Sequence, residues 1–246
     1  MAHTIGVYGL GRFGIFWASL LATVGNVKVC SRTKKDSLPD NLTWAEESEV
    51  LGADAVFFCV SISSFEEVLK KTASLITPQS IVFDTCSVKV HPAKLMQQYL
   101  HPDVEIIATH PMFGPDSAKN GVKDLPMVFS PVRASKKTIS LWHGIFSDMG
   151  LSMIDMTPHD HDKEAAFTQG ITHYMGRVLA DLSLKPSPIA TLGYRKLLEI
   201  VEQTCNDPWQ LFLDIQNFNP YTRDMRIRLH KSLEKIYGIL DNPENQ

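Results

Sequence analysis

Hydrophobic and polar residues follow two alternating patterns along positions 1–156. Runs that are apolar throughout, such as "TIGVY" at 4–8 and "DAVFFCVSI" at 54–62, are typical of strands buried on both faces of a parallel sheet. Segments with helical periodicity lie between them, such as "SFEEVLKKTASLI" at 64–76. Further strands are predicted at 27–31, 80–85, 104–109, 126–130 and 152–156. The alternation predicts an α/β fold with a doubly wound parallel sheet and right-handed crossovers.

From residue 157 onward the periodicity is helical and no strand signal is found. The helical pattern is interrupted at 185–188, 206–208 and 219–220, and each of these breaks ends in a proline. Proline disfavours helix in the residue before it and is well tolerated at a helix start, so these breaks fit helix boundaries. The sequence therefore predicts two domains, a sheet domain over 1–156 and an all-helical domain over 157–246.

Composition narrows the class of partner. The chain has 24 Lys and Arg against 27 Asp and Glu, a formal net charge of −3, so neither nucleic acid nor an anionic membrane is an expected partner. The sequence shows neither a membrane-spanning apolar run nor a secretory signal, and we expect a cytoplasmic protein. The four widely spaced cysteines are read as buried or half-buried thiols.

The motif "GLGRFG" at 9–14 stands between the first strand and the first helix. In that context the first glycine permits a tight turn, the second lets a pyrophosphate approach the backbone, and the third lets helix pack on strand. We predict a dinucleotide site of Rossmann type, although a purely structural turn is the alternative. The predicted cofactor contacts from this loop and from the end of the third strand are Gly9, Leu10, Gly11, Arg12, Phe13, Gly14, Val60 and Ser61.

The residues after the second strand bear on the choice of cofactor. An acid at this position would hold the ribose hydroxyls of NAD, but the chain has Ser31, Arg32 and Thr33 there. An arginine can accommodate a 2′-phosphate. We therefore predict NADP, with NAD as the less favoured cofactor. The alternative is that Arg32 and the lysines after it form a solvated loop.

Two polar segments follow later strands. "FDTCSVK" at 83–89 places Asp84, Ser87 and Lys89 near the carboxyl edge of the sheet, where ligands bind in such folds. Seen alone, Ser87 also suits a helix cap. "ATHPMFGPDS" at 108–117 is predicted to hold His110 on a rigid loop at the same edge, suited to accept a substrate proton. A turn histidine bonded to backbone is the alternative for His110.

The segment "HDHDKEAAFTQGITHYMGR" opens the helical domain with three histidines, His159, His161 and His173. The HxH spacing leaves a third metal ligand unspecified, so we expect no metal site. Asp160 and Asp162 fit a favourable interaction with a helix N-terminus. His173 is expected to face either the core or a cleft.

Taken together, these residues resemble the prephenate and arogenate dehydrogenases of tyrosine biosynthesis, and the plant-like arogenate dehydrogenases in particular. The matching segments are "GLGRFG", "DTCSVK", "THPMFGPDS", "HDKEAAFTQGITHYMGRVL" and "YRKLLEIVEQTCNDPWQLFLDIQNFNP". The resemblance implies NADP-dependent oxidative decarboxylation of a cyclohexadienyl substrate, arogenate or prephenate. It also implies that His110 accepts the hydroxyl proton, that Ser87 bonds the hydroxyl or the nicotinamide edge, and that His173 lines the substrate pocket.

One position departs from the resemblance. Several bacterial members carry an arginine before "DP" that pairs with a substrate carboxylate, whereas this chain has Glu202 and Gln203. The expected substitutes are Arg177, Arg195 and Lys89. Asp207 resembles the acidic residue that accompanies arogenate use in the plant-like enzymes. The resemblance also implies a homodimer formed through the helical domain.

Two other functions remain open from the residues alone. One is another NADP-dependent dehydrogenase or reductase with a helical second domain, such as an imine or β-hydroxyacid reductase. The other is a regulatory protein that binds NADP without turning over a substrate. Neither explains "THPMFGPDS" as well as the dehydrogenase does.

Overall fold

The structure, a computed structural model, describes residues 4–241. Contacts divide the chain into two compact units, one ending at His161 and one beginning at Asp162. The boundary predicted from the sequence, between Met156 and Thr157, lies just before a helix whose first turn belongs to the first unit.

The first unit is built on one sheet of eight strands. Its spatial order is β3-β2-β1-β4-β5-β6-β7-β8, and every neighbouring pair is parallel except β6 with β7. The strands are β1 (Thr4–Tyr8), β2 (Asn26–Cys30), β3 (Thr43–Trp44), β4 (Ala55–Phe58), β5 (Ile81–Asp84), β6 (Glu105–Pro111), β7 (Pro126–Arg133) and β8 (Ser152–Asp155). The chain leaves β1 toward β2 and returns to β4 on the other side, so the direction of winding changes between β1 and β4. A ligand crevice is expected at that point, beyond the carboxyl ends of both strands.

Within residues 4–241, ten helices accompany the strands, and the last five form or enter the second unit. They are α1 (Arg12–Leu21), α2 (Glu47–Leu51), α3 (Ile62–Thr72), α4 (Val90–Tyr99), α5 (Lys136–Asp148), α6 (Pro158–Ala165), α7 (Ile171–Asp181), α8 (Leu192–Asn206), α9 (Trp209–Phe218) and α10 (Thr222–Asp241). A 3₁₀ turn (Ala73–Leu75) ends α3, and a π-helical turn (Ala166–Gly170) joins α6 to α7. The prediction of a doubly wound sheet followed by helices is confirmed.

Side chains of the central strands alternate between two buried clusters. Phe57 and Phe83 point to one face and stack with their ring centroids 4.3 Å apart, beside Trp142. Their sequence neighbours Phe58 and Val82 belong to the cluster on the other face. Because side chains alternate along a strand, a strand buried on both faces needs apolar residues at every position, which explains the uninterrupted runs.

The predicted ends of two strands differ from those observed. The third apolar run was expected to be strand through Ile62, but β4 ends at Phe58, the last residue that pairs with β1 and β5. The strand β3 and the short helix α2 were not predicted, because two and five residues are too few to show a period.

The expectation that His110 lies on a loop is wrong. His110 and Pro111 are the last residues of β6, and His110 pairs with Val128 of the antiparallel strand β7. Pairing of β5 with β6 ends at Asp84 and Ala108, so β6 continues past its parallel neighbour. The histidine is therefore fixed by a strand, and the turn follows only after Pro111.

The second unit is helical throughout its described part. Helices α7 and α8 approach so closely at Gly176 that a Cβ there would lie 2.0 Å from the Thr204 hydroxyl oxygen. Along α10, Leu233, Ile236, Tyr237 and Leu240 each expose more than half of their surface. The homodimer stays a prediction. Within residues 4–241, no helix combines the length and the apolar character that a membrane crossing requires.

Candidate dinucleotide and proton-transfer site

The glycine loop after β1 has the geometry that its spacing predicts. Gly9 has φ +106°, and a Cβ at this position would lie 2.4 Å from the Cys59 carbonyl oxygen. A Cβ at Gly14 would lie 1.9 Å from the Gly9 carbonyl oxygen. At Gly11 no atom lies within 4 Å of such a Cβ. Gly9 and Gly14 are thus required by the fold, whereas Gly11 faces open space from which a phosphate can approach the backbone.

Helix α1 begins directly after this open position. Gly11 is its N-cap and provides no side-chain bond, and no acidic residue lies in the first turn. The first amide groups of a helix have no intrahelical acceptor and, with the helix dipole, favour an anion. The residues present therefore fit a pyrophosphate at this end of α1.

A cavity of about 370 Å³ lies beyond the carboxyl ends of β1, β2 and β4. From the predicted cofactor set it is lined by Gly9, Leu10, Gly11, Ser31, Arg32, Thr33, Val60 and Ser61. Arg12, Phe13 and Gly14 do not line it. The Arg12 guanidinium pairs with the Asp116 carboxylate, and the Phe13 ring stacks on Trp17 in the core.

Several lining residues were missed by the sequence interpretation. Ser64, Glu67, Val68 and Lys71 line the cavity from one face of α3, and Lys35 lines it after β2. Positions 64, 67, 68 and 71 follow helical spacing, so the face could have been found by counting turns from the crevice strand β4. Three cations, Arg32, Lys35 and Lys71, therefore line the cavity together with the Glu67 carboxylate.

Substitution of Gly11 and of Gly14 should separate the effect on dinucleotide binding from the effect on stability. We expect Gly11→Ala to melt close to wild type and to weaken NADP⁺ binding by about tenfold, because the methyl group enters the open approach to the backbone. We expect Gly14→Ala to lose about 1–3 kcal/mol of stability, because its methyl group meets a backbone carbonyl. Thermal melts and fluorescence titration with NADPH measure both. Equal melting temperatures for the two variants would contradict this assignment.

A buried ion pair lies beneath the next part of the edge. Asp84 at the end of β5 and Lys89 before α4 are both fully buried, and the ammonium donates to the Asp84 carboxylate. The same ammonium donates to the carbonyl of Thr109, and the Thr109 hydroxyl donates to the Asp84 carbonyl at 2.6 Å. Lys89 was predicted to bind substrate. Its burial and these bonds instead indicate that it links β5 to β6 within the fold.

Ser87 lies in the bend between β5 and α4 and is half-buried. It is not the N-cap of α4, since that position is taken by Lys89. The bend follows the carboxyl end of β5, the strand between β4 and β6. Ser87 therefore belongs to the same edge of the sheet as the cavity and His110.

His110 is 3% exposed and is bonded to a second histidine. Its Nδ1 lies 2.9 Å from Nε2 of His161 on α6, and the two rings are inclined by 67°. Burial lowers the pKa of His110 well below 6.5, and His161 and the Lys89 ammonium lower it further. His110 is therefore neutral at pH 7 and can accept a proton there.

The second unit contains a polar cluster of its own. His173 on α7 is 7% exposed, and its Nε2 lies 3.9 Å from a carboxylate oxygen of Asp207. Arg177, one turn later, donates to the backbone carbonyls of Thr204 and Asp207 at 3.0 and 2.8 Å, and its guanidinium lies over the Trp209 ring. The Nδ1 of His173 and the Nε of Arg177 are buried without a hydrogen-bond partner.

Two further polar residues named in the sequence are exposed. Arg195 is exposed on α8. His159 is exposed on α6, two positions before the buried His161. Across the described residues, no group of three or more histidine, cysteine, aspartate or glutamate side chains is arranged to hold a metal ion.

Known proteins match both units. The model of the prephenate dehydrogenase nucleotide-binding domain matches residues 26–150, and that of the TYRAAT1-like C-terminal domain matches residues 178–246. Arogenate dehydrogenase 2, chloroplastic, of Arabidopsis thaliana is 32% identical, over 96% of this chain and 69% of that protein. Arogenate dehydrogenase 1, chloroplastic, of the same plant is 34% identical, over 94% of this chain. This chain spans only 38% of the length of that second relative.

A solved structure shares the fold. Prephenate dehydrogenase from A. aeolicus, in complex with hydroxyphenyl propionate and NAD⁺, superposes with a TM-score of 0.75 at 19% identity and covers all of this chain and 93% of its own. The sequence matches extend over nearly the whole chain and both units. The chain therefore belongs to the family of prephenate and arogenate dehydrogenases.

Proposed function

We propose that the protein catalyses the NADP-dependent oxidative decarboxylation of arogenate, prephenate or both. In this reaction the ring C4 hydroxyl loses its proton and C4 loses a hydride. The C1 carboxylate then leaves as CO₂, its bonding electrons make the ring aromatic, and the oxygen regains a proton to give the phenol. The nicotinamide, when bound, supplies the hydride acceptor. The chain itself must hold the dinucleotide, accept the hydroxyl proton and bind the charged groups of the substrate.

The observation that carries the proposal is a buried, neutral histidine at the sheet edge that also forms the dinucleotide cavity. Along this edge, the cavity lies at the ends of β2, β1 and β4. Ser87 follows the end of β5, and His110 lies at the end of β6. A histidine that acts as a general base must be neutral at the working pH and held still. His110 meets both conditions through burial, strand pairing and its bond to His161. We assign it the hydroxyl proton, and we assign Ser87 a hydrogen bond to the hydroxyl or to the nicotinamide edge.

The proposal of NADP over NAD depends on charge. Arg32, Lys35 and Lys71 line the cavity, and no acidic residue occupies the end of β2. A 2′-phosphate brings about two negative charges to this site, and arginine binds phosphate through two parallel bonds. Ser31, whose hydroxyl donates to the Thr33 carbonyl at 2.7 Å, holds the turn that presents Arg32.

The charged groups of the substrate are assigned to His173, Arg177 and Asp207 in the second unit. Buried polar atoms without a partner cost about 1–3 kcal/mol each, so the Nδ1 of His173 and the Nε of Arg177 favour a polar ligand. The Arg177 guanidinium donates to two neutral carbonyls, so its positive charge suits a substrate carboxylate. The Asp207 side chain is 35% exposed and can pair with the side-chain amine that arogenate has and prephenate lacks. Arogenate is therefore our preferred substrate.

The proposal is tested by assaying purified protein with arogenate and prephenate, each with NADP⁺ and with NAD⁺. We expect the reduced cofactor to form fastest in the reaction with arogenate and NADP⁺. Tight NADPH binding without turnover of either substrate would support a regulatory protein instead. Turnover of imines or β-hydroxyacids alone would assign the chain to another reductase.

The cofactor assignment gives a further prediction. We expect Arg32→Ala to raise the KM for NADP⁺ by about 10- to 100-fold and to change that for NAD⁺ less than threefold, because only NADP⁺ has the 2′-phosphate. Lys34→Ala is the matched control. Lys34 lies over the Trp44 ring and does not line the cavity. An equal rise for both cofactors would exclude Arg32 as the phosphate ligand.

A further inference from the structure

We infer that His161 is a positioning residue that fixes the tautomer of His110, so that the lone pair of His110 lies on Nε2. The inference rests on the proposed role of His110 as proton acceptor. The family resemblance implies a role for His110 and none for His161, and the sequence pattern of His161 pointed only to metal binding. The geometry of the two rings carries the inference.

The contact between the rings requires one proton. Nδ1 of His110 and Nε2 of His161 lie 2.9 Å apart, and a hydrogen bond at that distance needs one nitrogen to donate and the other to accept. If His161 donates, a neutral His110 carries its proton on Nε2 and cannot accept another there. If His161 accepts, His110 keeps its proton on Nδ1 and Nε2 is the acceptor. Only the second arrangement is compatible with proton acceptance, and it persists when His110 becomes an imidazolium.

The fold holds His161 in place for this contact. The hydroxyl of Thr157 accepts from the amide of Asp160 at 3.1 Å and donates to the Asp160 carboxylate at 2.6 Å, which caps α6 before its first turn. The amide of His161 donates to the Thr157 carbonyl at 3.0 Å. The Ser130 hydroxyl of β7 donates to the carbonyl of Met156 at 2.6 Å and ties the connection to the sheet. His161 is 2% exposed.

A histidine in this position has a different effect from a carboxylate. A buried carboxylate would favour the imidazolium and raise the pKa of His110, whereas a second imidazole orients the ring without adding negative charge. The groups that act on His110 are His161 from α6 and Lys89 from the start of α4, and Lys89 is itself paired with Asp84. All of these lower the pKa of His110 or leave it low, so the base remains free of a bound proton into mildly acidic solution.

The test compares His161→Gln with His161→Leu. The glutamine amide oxygen extends about as far as the histidine Nε2 and can accept the Nδ1 proton, whereas leucine cannot. We expect His161→Leu to lose about 10- to 100-fold in kcat with KM changed less than threefold, and His161→Gln to retain most of the kcat. In His161→Gln the acid limb of the pH profile should move to higher pH, because a nearby imidazole has been removed. His159→Leu, on the exposed side of the same helix, is the control.

A second readout does not need turnover. Two-bond proton–nitrogen correlation spectra of histidine-labelled protein distinguish ring nitrogens that carry a proton from those that do not. We expect His110 to carry its proton on Nδ1 in wild type and in His161→Gln, and to lose this preference in His161→Leu. A proton on Nε2 in the wild type would overturn the inference, as would equal kcat values for the leucine and glutamine variants. If the wild type turned over no cyclohexadienyl substrate, the proposed function would fail while the spectra still decided the tautomer.

Discussion

We expect His110→Asn to bind NADPH within about threefold of wild type and to lose about 10²–10⁴-fold in kcat. The loss follows because asparagine cannot accept the hydroxyl proton, while the cavity proposed for the dinucleotide does not include residue 110. NADPH titration measures the first quantity, and steady-state kinetics with arogenate and prephenate measure the second. His101→Asn is the control, since the His101 side chain is 56% exposed in the loop before β6.

The pH profile gives the same assignment a sign. A base must be unprotonated to act, and burial, His161 and Lys89 lower the pKa of His110 well below 6.5. The acid limb of kcat/KM should therefore fall below pH 6.5, and it should be absent in the residual activity of His110→Asn. A variant with wild-type kcat, or an unchanged limb in His110→Asn, would remove His110 from the proton transfer.

The second large effect is expected for Lys89→Met, which should cost about 3–5 kcal/mol of stability. Lys89 and Asp84 are both fully buried, so removal of the ammonium leaves a buried carboxylate without its cation and takes one donor from the Thr109 carbonyl. Denaturant unfolding measures the loss. Lys28→Met is the control, because its pair with Glu49 is solvent-exposed and should contribute little to stability.

The cost of Lys89→Met should grow as pH rises. Burial raises the pKa of Asp84, and the Lys89 ammonium opposes that rise, so the variant has a carboxyl with a still higher pKa. At a pH between the folded pKa values of the wild type and the variant, the unfolded chain has released this proton and only the folded variant retains it. The stability of the variant therefore falls relative to wild type as pH rises through that interval. Asp84→Asn combined with Lys89→Met should recover part of the loss and remove the slope. A loss below 1 kcal/mol that does not depend on pH would show that the pair is dispensable.

The spacing of residues along the sequence was sufficient to predict the glycine loop and insufficient to predict the position of His110. The glycine loop could be predicted because its three glycines, the strand before it and the helix after it are all contiguous. The position of His110 in a strand could not, because β6 is lengthened by pairing with the distant antiparallel strand β7. The proline after His110 suggested a loop, yet a proline is tolerated where a strand ends.

The errors about charged residues have a similar origin. Lys89 directly precedes a helix, a context typical of an exposed residue, and only the fold shows that it bridges β5 and β6. The partner of His110 is 51 positions away, on a helix that the sequence showed as one long periodic segment. Lys71 differs from these residues, because helical spacing from the end of β4 is sufficient to place it on the face of α3 that lines the cavity.

The cations of the cavity and the groups around His110 should also differ in how freely they change over evolutionary time. Arg32 is exposed and the Lys71 side chain is 67% exposed, so their replacement costs the fold little. His110, His161, Asp84 and Lys89 are buried and joined by hydrogen bonds, so a single replacement among them disturbs several neighbours. If the proposed roles hold, lineages descended from one ancestor can exchange NADP for NAD through a few tolerated surface substitutions, while the residues that remove the proton stay the same.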